Sequence, residues 1–340
     1  MSGQEVPASR ARPAARVAVL GMGGTIASVR DASGAVPQLS TEELVAAIPG
    51  IDEYASLECR TFRMLPSTDV ALPDLVDLAG EIDRLAGQGV EAVVVTHGTD
   101  TLEESAFALD LLVRSAIPVV VTGAMRHSDL PSPDGPGNLL SAVQVAASGA
   151  TAGMGTVVVL DYVVHAARYV RKTNTTRLGT FVSEPAGPLG WVHEGEFHLG
   201  ASVGDPPKLT PSPGATQPVV PVYTTVLGDD DTALRALADL PLDGLVVEGL
   251  GGGHIRPGLA PLVGELASRI PVVIASRTGS GQILRNTYGT VGGDIDLAQR
   301  GLLSAGYLDG LKARILLSLV VMSAEATSPR ELFDHFVSAL

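Results

Sequence analysis

The stretch Ala92-Val93-Val94-Val95-Thr96-His97-Gly98-Thr99-Asp100-Thr101-Leu102-Glu103-Glu104-Ser105 constrains the fold more than any other. Four consecutive apolar residues followed by Thr-His-Gly-Thr-Asp-Thr read as a strand of a parallel sheet ending in a polar loop, because such strands are covered on both faces. Thr101-x-x-Glu104 followed by Phe107, Leu109 and Leu112 has the pattern of a capping box opening an amphipathic helix. In doubly wound sheets ligands bind beyond the carboxyl ends of the strands, which puts Thr99 and Asp100 where chemistry is expected. The helix start also offers free backbone N–H groups to an anion.

The same unit recurs along the chain. Arg16–Leu20 is apolar and runs into Gly21-Met22-Gly23-Gly24-Thr25; a strand over 57–65 runs into Pro66-Ser67-Thr68-Asp69; Ile117–Val121 runs into Thr122-Gly123-Ala124-Met125-Arg126. Leu75, Leu78, Ala79, Ile82 and Leu85 share one helical stripe, and Ser40-x-x-Glu43 caps a short helix. Repetition of this kind predicts an α/β protein of two α/β domains. The larger N-terminal domain has a mainly parallel sheet flanked by helices, and the C-terminal one is smaller. Residues 1–15 read as a disordered leader, 16–200 as the N-terminal catalytic domain, 201–220 as a Pro/Ser/Thr-rich linker and 221–340 as the C-terminal domain. Residues 28–39 have turn composition and predict a mobile loop over the site.

Charge and cysteine content narrow the function. A formal net charge of -14 over 340 residues argues against a nucleic-acid or anionic-membrane partner and favours a small-molecule substrate. Cys59 is the only cysteine, so an intrachain disulfide and a thiolate metal cluster are both excluded. The N-terminus lacks an apolar signal core, and Ile315–Met322 is too short for a bilayer span, so a soluble cytoplasmic protein is expected. The first glycine-rich loop has Ile26 where a dinucleotide fingerprint needs its third glycine. No cofactor or metal is expected.

Three strand-end loops thus present Thr25, Ser67 with Thr68, and Thr99 with Asp100. Lys172 joins them as one of only three lysines, with Lys208 and Lys312, among 23 Lys and Arg residues. Lysine can serve as a base where arginine cannot, and a threonine hydroxyl needs such a base as it attacks. Lys172 bonded to Thr99 and oriented by Asp100 would make a triad suited to acyl transfer. The alternatives are a solvated Lys172 and hydroxyls that only cap helices and close turns. His97, beside the site, reads as a structural hydrogen-bonding residue.

These residues resemble the bacterial-type L-asparaginases, amidohydrolases that convert asparagine to aspartate and ammonia. The match runs from about Val17 over nearly the whole chain. It rests on Gly23-Gly24-Thr25-Ile26-Ala27 and Thr96-His97-Gly98-Thr99-Asp100-Thr101, followed by Met125-Arg126, Asp134-Gly135-Pro136, Asn138 and Lys172-Thr173-Asn174-Thr175. The resemblance implies that Thr25 is the primary nucleophile and that Thr99, Lys172 and Asp100 form the second, triad-like group. It implies that Ser67 binds the substrate α-carboxylate and Asp100 the α-amino group, and it puts Thr68, Gly98, Ala124 and His254 at substrate-binding positions. It further implies L-asparagine, with L-glutamine a second candidate, as substrate, and a homo-oligomer, dimer or tetramer, with sites at subunit interfaces.

The chain departs from the family pattern at four places. Residues 28–39 hold no tyrosine, Ala35 standing at its place; His254 replaces an asparagine; Thr68 replaces a glutamine; and 276–288 lacks the distal glutamate. Two rivals stay open: a non-catalytic amino-acid sensor that has kept the pocket, and the asparaginase-like subunit of a tRNA-dependent amidotransferase.

Overall fold

The computed structural model describes residues 15–31, 34–323 and 327–340. All of the expected leader except Ala15, and the side chain of Ala35, lie outside the described residues.

Eight strands form the large sheet, in the order Glu196–Leu199, Gly190–His193, Val163–Ala166, Thr156–Leu160, Val119–Thr122, Ala92–Thr96, Ala15–Gly23, Ala55–Leu65. The last five pair in parallel, and the other three add an antiparallel edge. Alternation of side chains across the pleat divides each central strand between two cores. Ala18, Leu20, Val93 and Val95 enter one core with Leu75 and Leu78 of helix Leu72–Gly87 and Phe107 of helix Leu102–Leu112. Val17, Val19, Ala92 and Val94 enter the other with Leu139 and Val143 of helix Gly135–Ser148. Burial on both faces is the physical reason these runs are apolar throughout.

A second sheet follows, four parallel strands in the order Val222–Thr224, Leu245–Gly249, Val272–Ser276, Leu303–Ser304. Its core joins the first one without a break: helix Gly310–Met322 packs against helix Leu102–Leu112, and Leu316, Leu317 and Leu319 lie in one cluster with Phe107 and Leu111. Residues 201–221 carry no helix or named strand. Their middle is held down, since Leu209 is buried and its N–H donates to Leu111 O at 2.8 Å.

Several local expectations are corrected. Thr101 and Glu104 form no capping box: the Thr101 hydroxyl donates to Ser67 O at 2.8 Å instead. The helix behind it is not amphipathic, because all but one of its residues are buried, Glu103 and Asp110 included. Within 28–39, Ser28–Asp31 pairs antiparallel with Gly34–Pro37, regular pairing that the turn composition does not predict. Between strand Val272–Ser276 and the last two helices the structure adds a short helix, Asp294–Gln299, and a two-residue strand, Leu303–Ser304. Elements this short carry too little periodicity to be read from sequence. The Ser40 capping box does form. Among the described residues no helix is long and apolar enough to cross a membrane.

Candidate active site

Three strand ends meet at backbone distance because glycine stands at each approach. Gly23 and Gly24 adopt φ of +98° and +83°, a region that favours glycine, and Gly24 N donates to Leu65 O at 3.1 Å. A Cβ on Gly24 would lie 2.3 Å from both N and Cα of Gly98, and one on Gly98 would lie 2.7 Å from Cβ and Oγ of Ser67. The loop bearing Thr25, the loop bearing Thr99 and the turn bearing Ser67 are therefore pressed together. Thr101 locks the last two through its bond to Ser67 O.

Lys172 reaches this point from the two-residue strand Arg171–Lys172, which pairs with Phe181–Val182. Its Nζ donates to Thr99 Oγ1 at 3.0 Å and to Asp100 Oδ1 at 2.7 Å. Thr99 is 5 % exposed, so its hydroxyl is partnered in a largely dry setting. The Asp100 side chain is 67 % exposed, against 16 % for Lys172, so the carboxylate faces outward while the amine is enclosed. The expected Thr99–Lys172–Asp100 contact thus exists as hydrogen bonds across more than seventy residues of chain.

The other expected positions divide. Ser67 and Gly98 lie in the junction just described, and Thr25 follows Gly24 directly within it. Ala124 is fully buried in a loop fixed by Asp134, whose carboxylate accepts the Met125 and Arg126 N–H groups at 2.9 and 2.8 Å. Asn138 Nδ2 adds a bond to Gly123 O at 2.9 Å. Thr68 is exposed and its hydroxyl donates to its neighbour Asp69. His254 is not brought to the cluster by any hydrogen bond among the described residues: Nε2 stands 3.7 Å from Asp294 Oδ1, and the ring meets Tyr288 edge-on with centroids 4.8 Å apart.

His97 is buried and its Nδ1 bonds Gly98 O at 2.8 Å, so it braces the loop; burial holds its imidazole below the ordinary value, against the opposing pull of the Gly98 carbonyl. Sequence reasoning passed over Glu103. This buried carboxylate accepts the backbone N–H of Lys172. Burial pushes the Glu103 carboxyl up, and the charge of Lys312 and the Lys172 N–H pull it back part of the way. Its signal in the sequence was weak, since Glu104 and Asp110 are acidic in the same helix.

Fold and cluster together define an α/β protein that gathers a threonine–lysine–carboxylate group at the carboxyl edge of a parallel sheet. The chain belongs to the asparaginase family: residues 16–203 match the family model "Asparaginase, N-terminal" and residues 219–334 match "Glutaminase/Asparaginase C-terminal domain". It is 39 % identical to a probable L-asparaginase of Deinococcus radiodurans, over 95 % of this chain and 98 % of that one. It is 34 % identical to L-asparaginase 2 of Escherichia coli, over 94 % of this chain and 92 % of that one. The crystal structure of a probable cytoplasmic L-asparaginase from Campylobacter jejuni superposes with a TM-score of 0.87 at 29 % identity, covering 96 % of this chain and 100 % of that one.

Proposed function

We propose that this protein is an L-asparaginase, hydrolysing L-asparagine to L-aspartate and ammonia through a threonine acyl-enzyme. The observation that carries the reading is the Lys172 amine within hydrogen-bond distance of both Thr99 Oγ1 and Asp100 Oδ1. The Thr25 hydroxyl attacks the side-chain amide carbon, and its proton passes to the leaving nitrogen, which departs as ammonia. Water then attacks the resulting ester. Thr99 and Lys172 take the water proton and return a proton to Thr25. Asp100 orients the amine and binds the substrate α-amino group, while Ser67 binds the α-carboxylate. The close approach of Gly24, Gly98 and Ser67 supports this division of labour, since the segments that carry Thr25, Ser67 and Thr99 touch there.

The substrate-binding set is Ser67, Thr68, Gly98, Asp100, Ala124 and His254, with His254 serving the site of a neighbouring copy. The family resemblance supports a homo-oligomer, and within one chain His254 contacts Asp294 and Tyr288, not the threonine–lysine cluster. The two separate sheets support a catalytic unit over 16–200, a joining segment over 201–220 and a second unit over 221–340. The naming of the Campylobacter jejuni relative as probable cytoplasmic supports the same location here. The test is ammonia release from asparagine and glutamine, followed by acid quench and peptide mapping. An aspartyl adduct on Thr25 is expected; one found only on Thr99 would reassign the nucleophile, and binding of aspartate with no turnover of either amide would make the protein a sensor.

A further inference from the structure

Two of the three lysines in this chain converge on one short segment. Lys312, in the first turn of helix Gly310–Met322, is 1 % exposed. Its Nζ donates to Val170 O at 2.6 Å and to Asp309 Oδ2 at 3.2 Å. Asp309 caps that helix by accepting the Lys312 N–H at 2.9 Å, and its other oxygen lies 3.4 Å from Arg171 Nε. Arg171 Nη1 also donates to Gly279 O at 2.7 Å. The next residue, Lys172, gives its backbone N–H to Glu103. Three consecutive residues are therefore pinned, at the carbonyl of 170, the side chain of 171 and the amide of 172. Most of these anchors come from the second half of the chain.

Burying an ammonium is costly unless it is fully partnered, and an apolar residue would pack the same helix at no such cost. Nothing in the packing of helix Gly310–Met322, whose neighbours Ile315, Leu316 and Leu319 are apolar and buried, calls for a charge there. The charge acts on residues 170–172 and on Glu103. We propose that Lys312, with Asp309 and Glu103, is a positioning residue for Lys172, fixing the strand that carries it so that its Nζ meets Thr99 and Asp100. The effect on turnover rests on the amidohydrolase reading above; the effect on the position of Lys172 does not.

The scarcity of lysine supplies the assay. Brief competitive acetylation of the full-length protein with acetic anhydride, read by peptide mass spectrometry, reports Lys172 against Lys208 as an internal reference. In Lys312→Met, which keeps the side-chain volume, the Lys172 to Lys208 labelling ratio rises about fivefold as the amine loses its partners. The kcat for asparagine falls about tenfold or more with KM within about twofold, because a displaced base harms the transition state and leaves binding intact. An unchanged labelling ratio in a folded Lys312→Met protein overturns the proposal. Should that variant fail to fold, Asp309→Asn keeps the helix cap while removing the charge, and the same ratio must rise, to a smaller extent; no rise overturns the proposal equally. An inactive wild type would count against the amidohydrolase reading and leave the labelling ratio to decide this one.

Discussion

Replacing Gly98 by alanine puts a methyl carbon 2.7 Å from Cβ and Oγ of Ser67 and 3.2 Å from Cα of Gly24. Ordinary contact begins at 3.4 Å, so Ser67 must retreat by about 0.7 Å and Gly24, at the start of the Thr25 loop, by about 0.2 Å. The Ser67 side is held by the bond from Thr101 and the Gly24 side by its bond to Leu65 O, so neither yields freely. Overpacking of this kind costs about 1–3 kcal/mol of stability. Catalysis should suffer more, since a misplacement approaching 1 Å between reacting groups is worth up to about 100-fold. Steady-state ammonia release from asparagine, with thermal unfolding of the same preparation, separates the two losses. We expect Gly98→Ala to fold with a lowered midpoint and kcat/KM down by about 30- to 100-fold. A variant with wild-type midpoint and activity within twofold would refute the claim that this contact sets the spacing of Thr25, Ser67 and Thr99.

Thr101→Val removes the hydroxyl that bonds Ser67 O, and should cost about 1 kcal/mol in a urea titration while raising KM for asparagine; an unchanged KM would mean Ser67 does not depend on this tie. Burial holds the His165 imidazole down at about 4 against an ordinary 6.5. The stabilisation from keeping it neutral is therefore complete above pH 6.5 and is lost as pH falls toward 4, by about 3 kcal/mol in total. His165→Gln should flatten the fall in urea midpoint between pH 7.5 and 4.5, and an equal fall in both proteins would show that other groups govern it. Burial, with Glu42 nearby, pushes the half-buried Cys59 thiol up, so iodoacetamide should label it slowly at pH 8 and Cys59→Ser should retain activity; rapid labelling or loss of activity would give Cys59 a role that its setting does not explain.

The parallel sheet was legible because strands buried on both faces must be apolar throughout, as Val93–Val95 and Val119–Val121 are. Lys172 was legible because lysine is rare in this chain and because Lys172-Thr173-Asn174-Thr175 resembles the family's pattern. Thr101 was misread because a hydroxyl at a helix start has a local partner in its own backbone and a distant one in Ser67 O, and only the fold brings the distant one within 2.8 Å. Glu103 and Lys312 were passed over for the opposite reason. Neither is the only charge in its helix, with Glu104 beside Glu103 and Arg314 near Lys312, so nothing local distinguishes it, and its meaning arises from the packing of two helices some two hundred residues apart. His254 shows a further limit, since sequence order assigns it to the substrate while its contacts within one chain are with Asp294 and Tyr288.

The most direct test of the threonine–lysine site is ammonia release from L-asparagine by the wild type and by Lys172→Met, with folding verified for both. Removing an amine that bonds Thr99 Oγ1 and Asp100 Oδ1 should lower kcat by about 1,000-fold or more, while aspartate still binds. Turnover in Lys172→Met within tenfold of the wild type would contradict the assignment of Lys172 and Thr99 to the chemistry.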